Sequence, residues 1–536
     1  MQKTVPALRD TWNTLQNSIN NGINAFTDHK DQFLSQDKQF ITLSVFLSIP
    51  IVYCTFRILR KIVTKLIPTK IYVRDFQVFQ ADPAWKLSST QMLKSSQNMN
   101  FNANSLNFMR KLSKHNGIGP DVAIPPTIFV DEHNIENTRV ESRAVWIPTV
   151  KELLEKTGIL SSQIDVLVTN SSLFVPLPSL SSMIVNEFKM KKDIHSFSLG
   201  GMGCSSNPIG VDVIQSFLQN RNLKYALLVS TESFTLNYYI GNDASMLLPN
   251  TLFRTGCAAI LFTNVNYKCK YVLKHLIRTH IGADDSAHKC IYQDNDSDGI
   301  LGLRLEKSII SNASKAMLNN TTRLFAKVLP LNLKLSYVWR IVSAYSRWYL
   351  KTRLFKVSTM YPRYEIPQIN KAIDNFCFHT GGRGVLDAMQ KQFNLSDGQI
   401  AASRASLFKY GNTSSPSIWY ELAYHEQTNS ILKNNIIWQV AFGSGFKCNS
   451  IIWKALHTIK DNKTLFDSQK PNCAFESSVL NQILVDENEM KMDYEQIVRE
   501  RQKKEEENEW KEIKRKFMNR FIEESGASIK QVLNVE

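Results

Sequence analysis

A cysteine set in a run of glycines is the first residue of this chain whose surroundings point to chemistry. In DIHSFSLGGMGCSSNPIGVDVIQSFL, Cys204 follows Gly200, Gly201 and Gly203 and precedes Ser205, Ser206 and Asn207. A thiolate is a soft nucleophile suited to a thioester carbonyl. A cysteine at the start of a helix meets the positive end of the helix dipole, which favours that thiolate. The plain alternative is a small core cysteine in a turn. Two other positions have a similar setting. His379 precedes Gly381 and Gly382 in DNFCFHTGGRGVLDAMQKQF, and Asn412 follows Gly411 in KYGNTSSPSIWYELAY. Each also has a bland reading, a structural histidine and an ordinary Asn-Thr turn.

The elements that must position these residues can be read from apolar spacing. Ile194, Phe197 and Leu199 suit a buried strand before Cys204, and Ile209, Val213, Ile214 and Phe217 suit an amphipathic helix after it. Ser205, Ser206 and Asn207 are N-cap candidates. Ile373–Phe378 reads as a strand into His379, with a helix from Arg383. A helix from about Ser415 has Pro416 at its first position. Ile436–Phe442 is a strand, the GSGF loop (Gly443, Ser444, Gly445, Phe446) follows, and Ser450–Trp453 is a returning strand. Further strands are expected at Ile71–Phe79, Ile164–Thr169, Tyr225–Val229 and Cys257–Phe262, and helices at Asn104–Lys114, Pro148–Thr157 and Leu177–Phe188. Strand and helix alternate in two similar halves, each ending strands in a reactive residue. This is an internally duplicated α/β pattern with a largely parallel sheet.

Composition narrows the partners. The 536 residues carry a net charge of +16, which favours anionic partners such as membrane surfaces or phosphorylated cofactors. No zinc-finger spacing, RRM signature or basic low-complexity arm supports nucleic acid. The eight cysteines include no CxxC, so neither a zinc ribbon nor a dithiol redox site is indicated. His280, Asp284, His288 and Cys290 fit no standard zinc template, and DNDSDG lacks the glutamate an EF-hand needs. No metal is expected.

Phe40–Phe56 is almost wholly apolar and is followed by Arg57, Arg60, Lys61, Lys65, Lys70 and Arg74. A membrane-embedded segment is expected there, with a buried helix or a shallow hairpin as the alternative. The basic flank leaves the bulk of the chain on the cytoplasmic side. Asn412-Thr413-Ser414 is also a glycosylation sequon, and a glycan there would block a catalytic asparagine. In the tail, Trp510, Ile513, Phe517 and Phe521 share one helical face among lysines and arginines. That fits an interfacial helix or one docked on protein. The resulting plan is a polar segment 1–39, a membrane segment with its basic flank 40–66, and an N-terminal half 67–263 with the cysteine. A cap 264–366 near the membrane, enclosing an acyl tunnel, follows. A C-terminal half 367–458 carries the histidine and asparagine, and a variable region with a charged helical tail occupies 459–536.

Several long motifs in the same order strongly resemble the membrane-bound 3-ketoacyl-CoA synthases, the condensing enzymes of very-long-chain fatty acid elongation. They are GMGCSS, HTGGRGVLD, GNTSSPSIWYELAY and FGSGFKCNS, with NFMRKLSKHNGIGPDVAIPP, STESFTLNYYIGNDASMLLPNTLFRTGCAAIL and RTHIGADDSAHKCIYQ. The resemblance spans about Ile71–Leu456. The family is similar to chalcone synthases. It implies a thiolase-like five-layer α-β-α-β-α sandwich of two duplicated halves, and a Cys-His-Asn triad at Cys204, His379 and Asn412. Departures are a single apolar N-terminal segment where family members usually have two, Asn207 and Pro208 after the cysteine, and Gly384 where alanine is usual. Pro208 is harmless if the helix begins near Ser206.

The resemblance implies acyl transfer from an acyl-CoA to Cys204, then decarboxylation of malonyl-CoA and attack of its carbanion on the acyl-Cys204 carbonyl. His379 can pair with the Cys204 thiolate in the resting enzyme, and His379 Nε2 and the Asn412 amide would stabilise the enolate oxygen. The Cys204 N–H and a Gly443–Phe446 amide form a second oxyanion site, and Lys447 and Arg383 either meet CoA phosphates or are structural. No cofactor is implied beyond the substrates malonyl-CoA and acyl-CoA. Implied partners are a second copy in a homodimer, the ketoacyl reductase, dehydratase and enoyl reductase of elongation, and the endoplasmic reticulum membrane. A type III polyketide synthase shares the triad but has a GFGPG-like loop where this chain has GSGFKCNS. A non-catalytic scaffold is disfavoured by the retained Cys204, His379 and Asn412.

Overall fold

The computed structural model describes residues 69–87, 99, 101–119, 122–129, 133–354 and 369–460, together with 17–18 and 515–516. Two compact units divide the chain at Pro68, and the fold described is that of the second. The expected membrane segment Phe40–Phe56 and nearly all of the charged tail lie outside the described residues. Among the described residues no helix is long and apolar enough to cross a membrane.

The chain enters with β1 (Tyr72–Val78), then β2 (Lys86–Leu87), α1 (Ala103–Ser113), β3 (Val122–Ala123) and α2 (Ile135–Thr157). Next come β4 (Val166–Ser171), α3 (Leu180–Glu187), β5 (His195–Gly200), α4 (Ser206–Leu218), β6 (Tyr225–Glu232), α5 (Ala244–Leu252) and β7 (Gly256–Thr263). The second half holds β8 (Tyr271–His280), α6 (Asp285–Lys289), the hairpin β9 (Ile291–Asn295) and β10 (Leu301–Leu305), α7 (Ile309–Val328) and α8 (Leu331–Leu354). It closes with β11 (Asn375–Phe378), α9 (Arg383–Phe393), α10 (Asp397–Tyr410), α11 (Ser417–Gln427), β12 (Ile436–Gly443) and β13 (Lys447–Ala455).

Nine strands form one sheet in the order β11-β12-β13-β8-β1-β7-β6-β4-β5. Its halves meet through two residue pairs, Tyr72 with Val272 and Val73 with Tyr271. Both halves repeat one pairing scheme. β4 is parallel to β6, and β6 and β1 are antiparallel to β7. β11 is parallel to β12, and β12 and β8 are antiparallel to β13. The duplication inferred from motif spacing is therefore a duplication of pairing order. The sheet is mixed, which corrects the largely parallel expectation. β12 returns as β13 after only Ser444–Phe446, and so short a turn makes a hairpin, never a parallel crossover.

Alternation along the strands sorts their side chains into separate cores. Val166 and Val168 of β4 and Ile437 and Ala441 of β12 join Val211 and Ile214 of α4 and Ile418 and Trp419 of α11. Leu167 turns the other way, to Val145 and Trp146 of α2. Trp438 and Val440 turn outward to Leu324 and Phe325 of α7. Helices α4 and α11 thus lie between the two halves of the sheet, with α2 outside one and α7 outside the other.

Three differences from the sequence expectations have physical causes. Helix α2 starts at an Asn134 cap, well before Pro148, and ends at left-handed Gly158. It runs through the proline because fully buried Trp146, Val150 and Leu153 hold it to the sheet. Tyr271–His280, inside the stretch expected as a cap, is a sheet strand whose Tyr271 is fully buried. The helical cover follows it, and α8 turns an apolar face outward: Leu331 is 71% and Trp339 73% exposed.

Candidate active site

Cys204 lies in a single 3-10 turn, Gly203–Ser205, between β5 and α4. Pro208 falls in the first turn of α4, where no backbone bond is lost. The turn is pressed against the GSGF loop from the other half. A Cβ on Gly203, whose φ is +68°, would stand 2.5 Å from the Ser444 nitrogen, and one on Gly443 would collide with Ser205. Only glycine permits this approach. The start of α4 is capped from the other half as well: Asn207 N–H donates to Ser415 Oγ at 2.8 Å.

Ser414 joins the three predicted catalytic positions. Its hydroxyl donates to Cys204 Sγ at 3.3 Å. Its backbone N–H donates to Asn412 Oδ1 at 2.8 Å. Its carbonyl accepts the Ser417 N–H at 3.2 Å, and Ser417 Oγ lies 2.7 Å from His379 Nδ1. Ser414 adopts φ +62°, a left-handed conformation unusual for a residue with a side chain. Asn412 is stitched to the end of α5: its N–H donates to Leu252 O and its carbonyl accepts the Arg254 N–H. Asn412 is 3% exposed, so the sequon it heads is closed to a glycosyltransferase in the folded chain.

Burial pushes the Cys204 thiol up to about 12, and nearby Glu232 pushes the same way, while the Ser414 hydrogen bond opposes them. These influences oppose the thiolate that a helix N-terminus favours. Burial also lowers His379 to about 4, so its imidazole is neutral. A Ser417 hydroxyl that donates to Nδ1 would leave the ring proton on Nε2, the atom expected to donate to an enolate.

Sequence reasoning missed Ser414, Ser417 and Glu232. Glu232, at the end of β6, is 2% exposed. Its carboxylate accepts from Ser414 Oγ at 2.9 Å, Ser171 Oγ at 3.0 Å and the N–H groups of Ser172 and Leu173. Ser414 and Ser417 were visible only as a serine-rich turn, and Glu232 only as one acid among many.

The remaining predicted residues divide. Gly443 and Ser444 flank the Cys204 turn. Gly445 lies by Lys447 and His280. Phe446 is buried in the outer core of the second half, and its carbonyl accepts the Ile281 N–H. Lys447 donates to Ser444 O at 2.5 Å, bracing its own loop. Arg383 begins α9 and lies 3.7 Å from Asp387. Asp284 caps α6 and pairs with Lys315 at 2.7 Å, and Cys290 is buried. Among the described residues no cluster of His, Cys, Asp or Glu could hold a metal.

Residues 63–345 match the family described as FAE1/Type III polyketide synthase-like protein, and residues 369–455 match the 3-oxoacyl-[acyl-carrier-protein] synthase III C-terminal family. The chain is 40% identical over 404 residues to 3-ketoacyl-CoA synthase 2 of Arabidopsis thaliana, covering 74% of this chain and 75% of that protein. It is 40% identical over 399 residues to 3-ketoacyl-CoA synthase 17 of the same plant, covering 73% and 80%. A crystal structure of a fungal type III polyketide synthase aligns at TM-score 0.55 and 14% identity, covering 72% of this chain and 99% of that one. PKS-I from the brown alga Ectocarpus siliculosus aligns at 0.57 and 15%, covering 72% and 98%. The fold is thiolase-like α/β, shared with type III polyketide synthases. The chain belongs to the FAE1/type III polyketide synthase-like family, on the branch that holds the 3-ketoacyl-CoA synthases.

Proposed function

We propose that this chain is a 3-ketoacyl-CoA synthase that condenses malonyl-CoA with a long-chain acyl-CoA through an acyl-Cys204 intermediate. The observation that carries the reading is Ser414, which links Cys204, Asn412 and, through Ser417, His379. Cys204 takes the acyl group and releases CoA. Malonyl-CoA then loses CO2, and the enolate oxygen receives hydrogen bonds from His379 Nε2 and the Asn412 side-chain amide. A neutral, buried His379 supports this division, because it donates without adding a charge. The carbanion attacks the thioester, whose oxygen lies near the Cys204 N–H and the Gly443–Ser444 backbone. Malonyl-CoA and acyl-CoA supply all the chemistry, and no further cofactor is needed. Arg383, exposed at the start of α9, suits a CoA phosphate better than Lys447, which is occupied in its own loop.

The setting proposed is the endoplasmic reticulum membrane, with Phe40–Phe56 embedded and the catalytic halves facing the cytosol. The exposed apolar face of α8 supports a membrane-proximal cover for the helical part of residues 264–366 that follows β8. A homodimer acting beside the reductases and dehydratase of elongation completes the reading. Membranes holding the full chain, given labelled malonyl-CoA and a series of acyl-CoAs, are expected to yield 3-ketoacyl-CoA. If the label appears only in polyketide lactones, the elongation reading gives way to the polyketide one.

A further inference from the structure

An irregularity in β8 gathers positive charge on the outer side of the second half. His275 pairs with Ile452 and Leu273 with Trp453, so Lys274 has no partner on β13. Leu273 and Leu276 both pack on the inner core, and Ile277 belongs to the outer one. Lys274 and His275 therefore both fall on the outer face, where strict alternation would send one of them inward. Helix α7 covers that face. Its Asn320 Nδ2 donates to Ile277 O at 3.2 Å, and its Leu324 and Phe325 join Ile277 in the outer core. Lys327 stands in the last turn of α7 and Lys334 in the first turn of α8, with only Leu329 and Pro330 between the two helices.

Nothing of opposite sign answers these groups. Burial, and then the charges of Lys327, Lys274 and Lys334, hold the half-buried His275 ring below its ordinary value. Three ammonium groups are thus felt at one ring. Among the described residues no carboxylate forms an ion pair with Lys274, Lys327 or Lys334. From Ile309 to Leu354 the chain has no Asp or Glu. Lys315 of α7, by contrast, is matched by Asp284. Like charges gathered in this way repel one another, and an anion that joined them would relieve the repulsion.

We propose that Lys274, His275, Lys327 and Lys334 form a binding site for the phosphomonoester headgroup of an anionic lipid. A phosphate monoester carries about −1.5 to −2 charge at neutral pH and presents three acceptor oxygens. Three lysines match both its charge and its acceptors. A phosphodiester carries a single charge and would leave most of the repulsion in place. The half-buried His275 ring offers a further N–H to a phosphate oxygen. Position favours a lipid over a soluble phosphate. Leu331 and Leu335 flank Lys334 and are both exposed, at the start of the apolar face of α8. Cations at the edge of such a face lie at the depth of headgroup phosphates. The lipid identity presupposes the membrane setting proposed above, and adds to it one headgroup and one place on the fold.

The test uses the full chain in lipid nanodiscs, with acetic anhydride labelling of lysines read by peptide mass spectrometry. Discs of phosphatidylcholine alone are compared with discs that also hold phosphatidic acid, or phosphatidylserine to the same surface charge. Phosphatidic acid is expected to slow labelling of Lys274, Lys327 and Lys334 by about tenfold, the protection given by a ligand at ten times its dissociation constant. Lys315 should label at one rate in all three. Lys327→Gln, a change at an exposed position, should stay in the disc and lose most of the protection at Lys334. Equal protection by phosphatidylserine would reduce the cluster to a basic surface and overturn the headgroup assignment. Undiminished protection of Lys334 in Lys327→Gln would overturn it too, because the lysines would then bind singly. Protection by inorganic phosphate in phosphatidylcholine discs would overturn the lipid in favour of a soluble ligand. Discs that hold the chain and leave all three lysines reactive remove this site and keep the membrane setting. A chain that never associates with lipid removes both.

Discussion

Ser414 Oγ lies 3.3 Å from Cys204 Sγ, although 210 residues separate them in the chain. One half of the duplicated fold presents the nucleophile and the other presents the serine that touches it. The site therefore exists only when the halves are packed on each other. The central core of α4 and α11 residues makes that packing rigid, with Val211, Ile214, Ile418 and Leu422 all fully buried.

Cys204→Ala is expected to abolish condensation and to leave the fold intact, because alanine fits the 3-10 turn. Labelled acyl-CoA should leave no label on the protein. Retained label would mean that another residue carries the acyl group.

Asn412 has two ends with different tasks. Its Oδ1 holds Ser414, and its amide is left to donate to the enolate. Asn412→Ala should therefore weaken both acylation and decarboxylation. Asn412→Asp keeps the Oδ1 acceptor and loses the amide. Its decarboxylation should fall by about 10²–10³-fold, the usual cost of an oxyanion donor. Single-turnover acylation and CO2 release, measured separately, distinguish the two variants. Equal losses in both steps for both variants would contradict the division.

Acid should unfold this chain partly through its buried histidines. His425, like His379, is held near 4 by burial, against an ordinary value of 6.5. The folded state thus binds fewer protons than the unfolded one between these values. Stability is fully present above about 6.5 and is lost as pH falls toward 4, by ~1.4 kcal/mol per pH unit for each such histidine. Thermal melts across this window should show a steep fall, and His425→Gln should flatten it. An unchanged slope in His425→Gln would mean that its burial is relieved by local opening.

The outward face of α8 is expected to meet anionic lipid. Leu331, Leu335, Val338, Val342, Tyr345 and Tyr349 recur at steps of four and three and are all exposed. The helix contains Lys334, Arg340 and Arg347 and no acidic residue. Pairing with a second α8 would offer no complementary charge, whereas aromatics and basic residues suit a headgroup layer. In vesicles of phosphatidylcholine with phosphatidylserine, a diazirine-bearing lipid should label residues 331–350 as well as 40–56. Val338→Asp with Val342→Asp should remove only the first. Labelling confined to 40–56 would leave α8 outside the bilayer, and copy-to-copy crosslinks through α8 in detergent would assign it to a dimer.

Much of this protein was legible without coordinates because its signals are local. Glycines around Cys204, His379 and Asn412 mark turns at strand ends whatever surrounds them. Short, nearly continuous apolar runs mark β4, β6, β7, β11 and β12. The long motifs carry the family resemblance because they are contiguous in sequence. What the tertiary structure decided depends on distant residues. The mixed pairing of β13 and β8 follows from strand neighbours, which no periodicity encodes. Helix α2 persists through Pro148 because of its packing on the sheet. Burial raises the Cys204 thiol, and burial is a property of the packed halves. Ser414 and Glu232 look ordinary in sequence. They come together only where two halves bring one hydroxyl between a sulfur and a carboxylate.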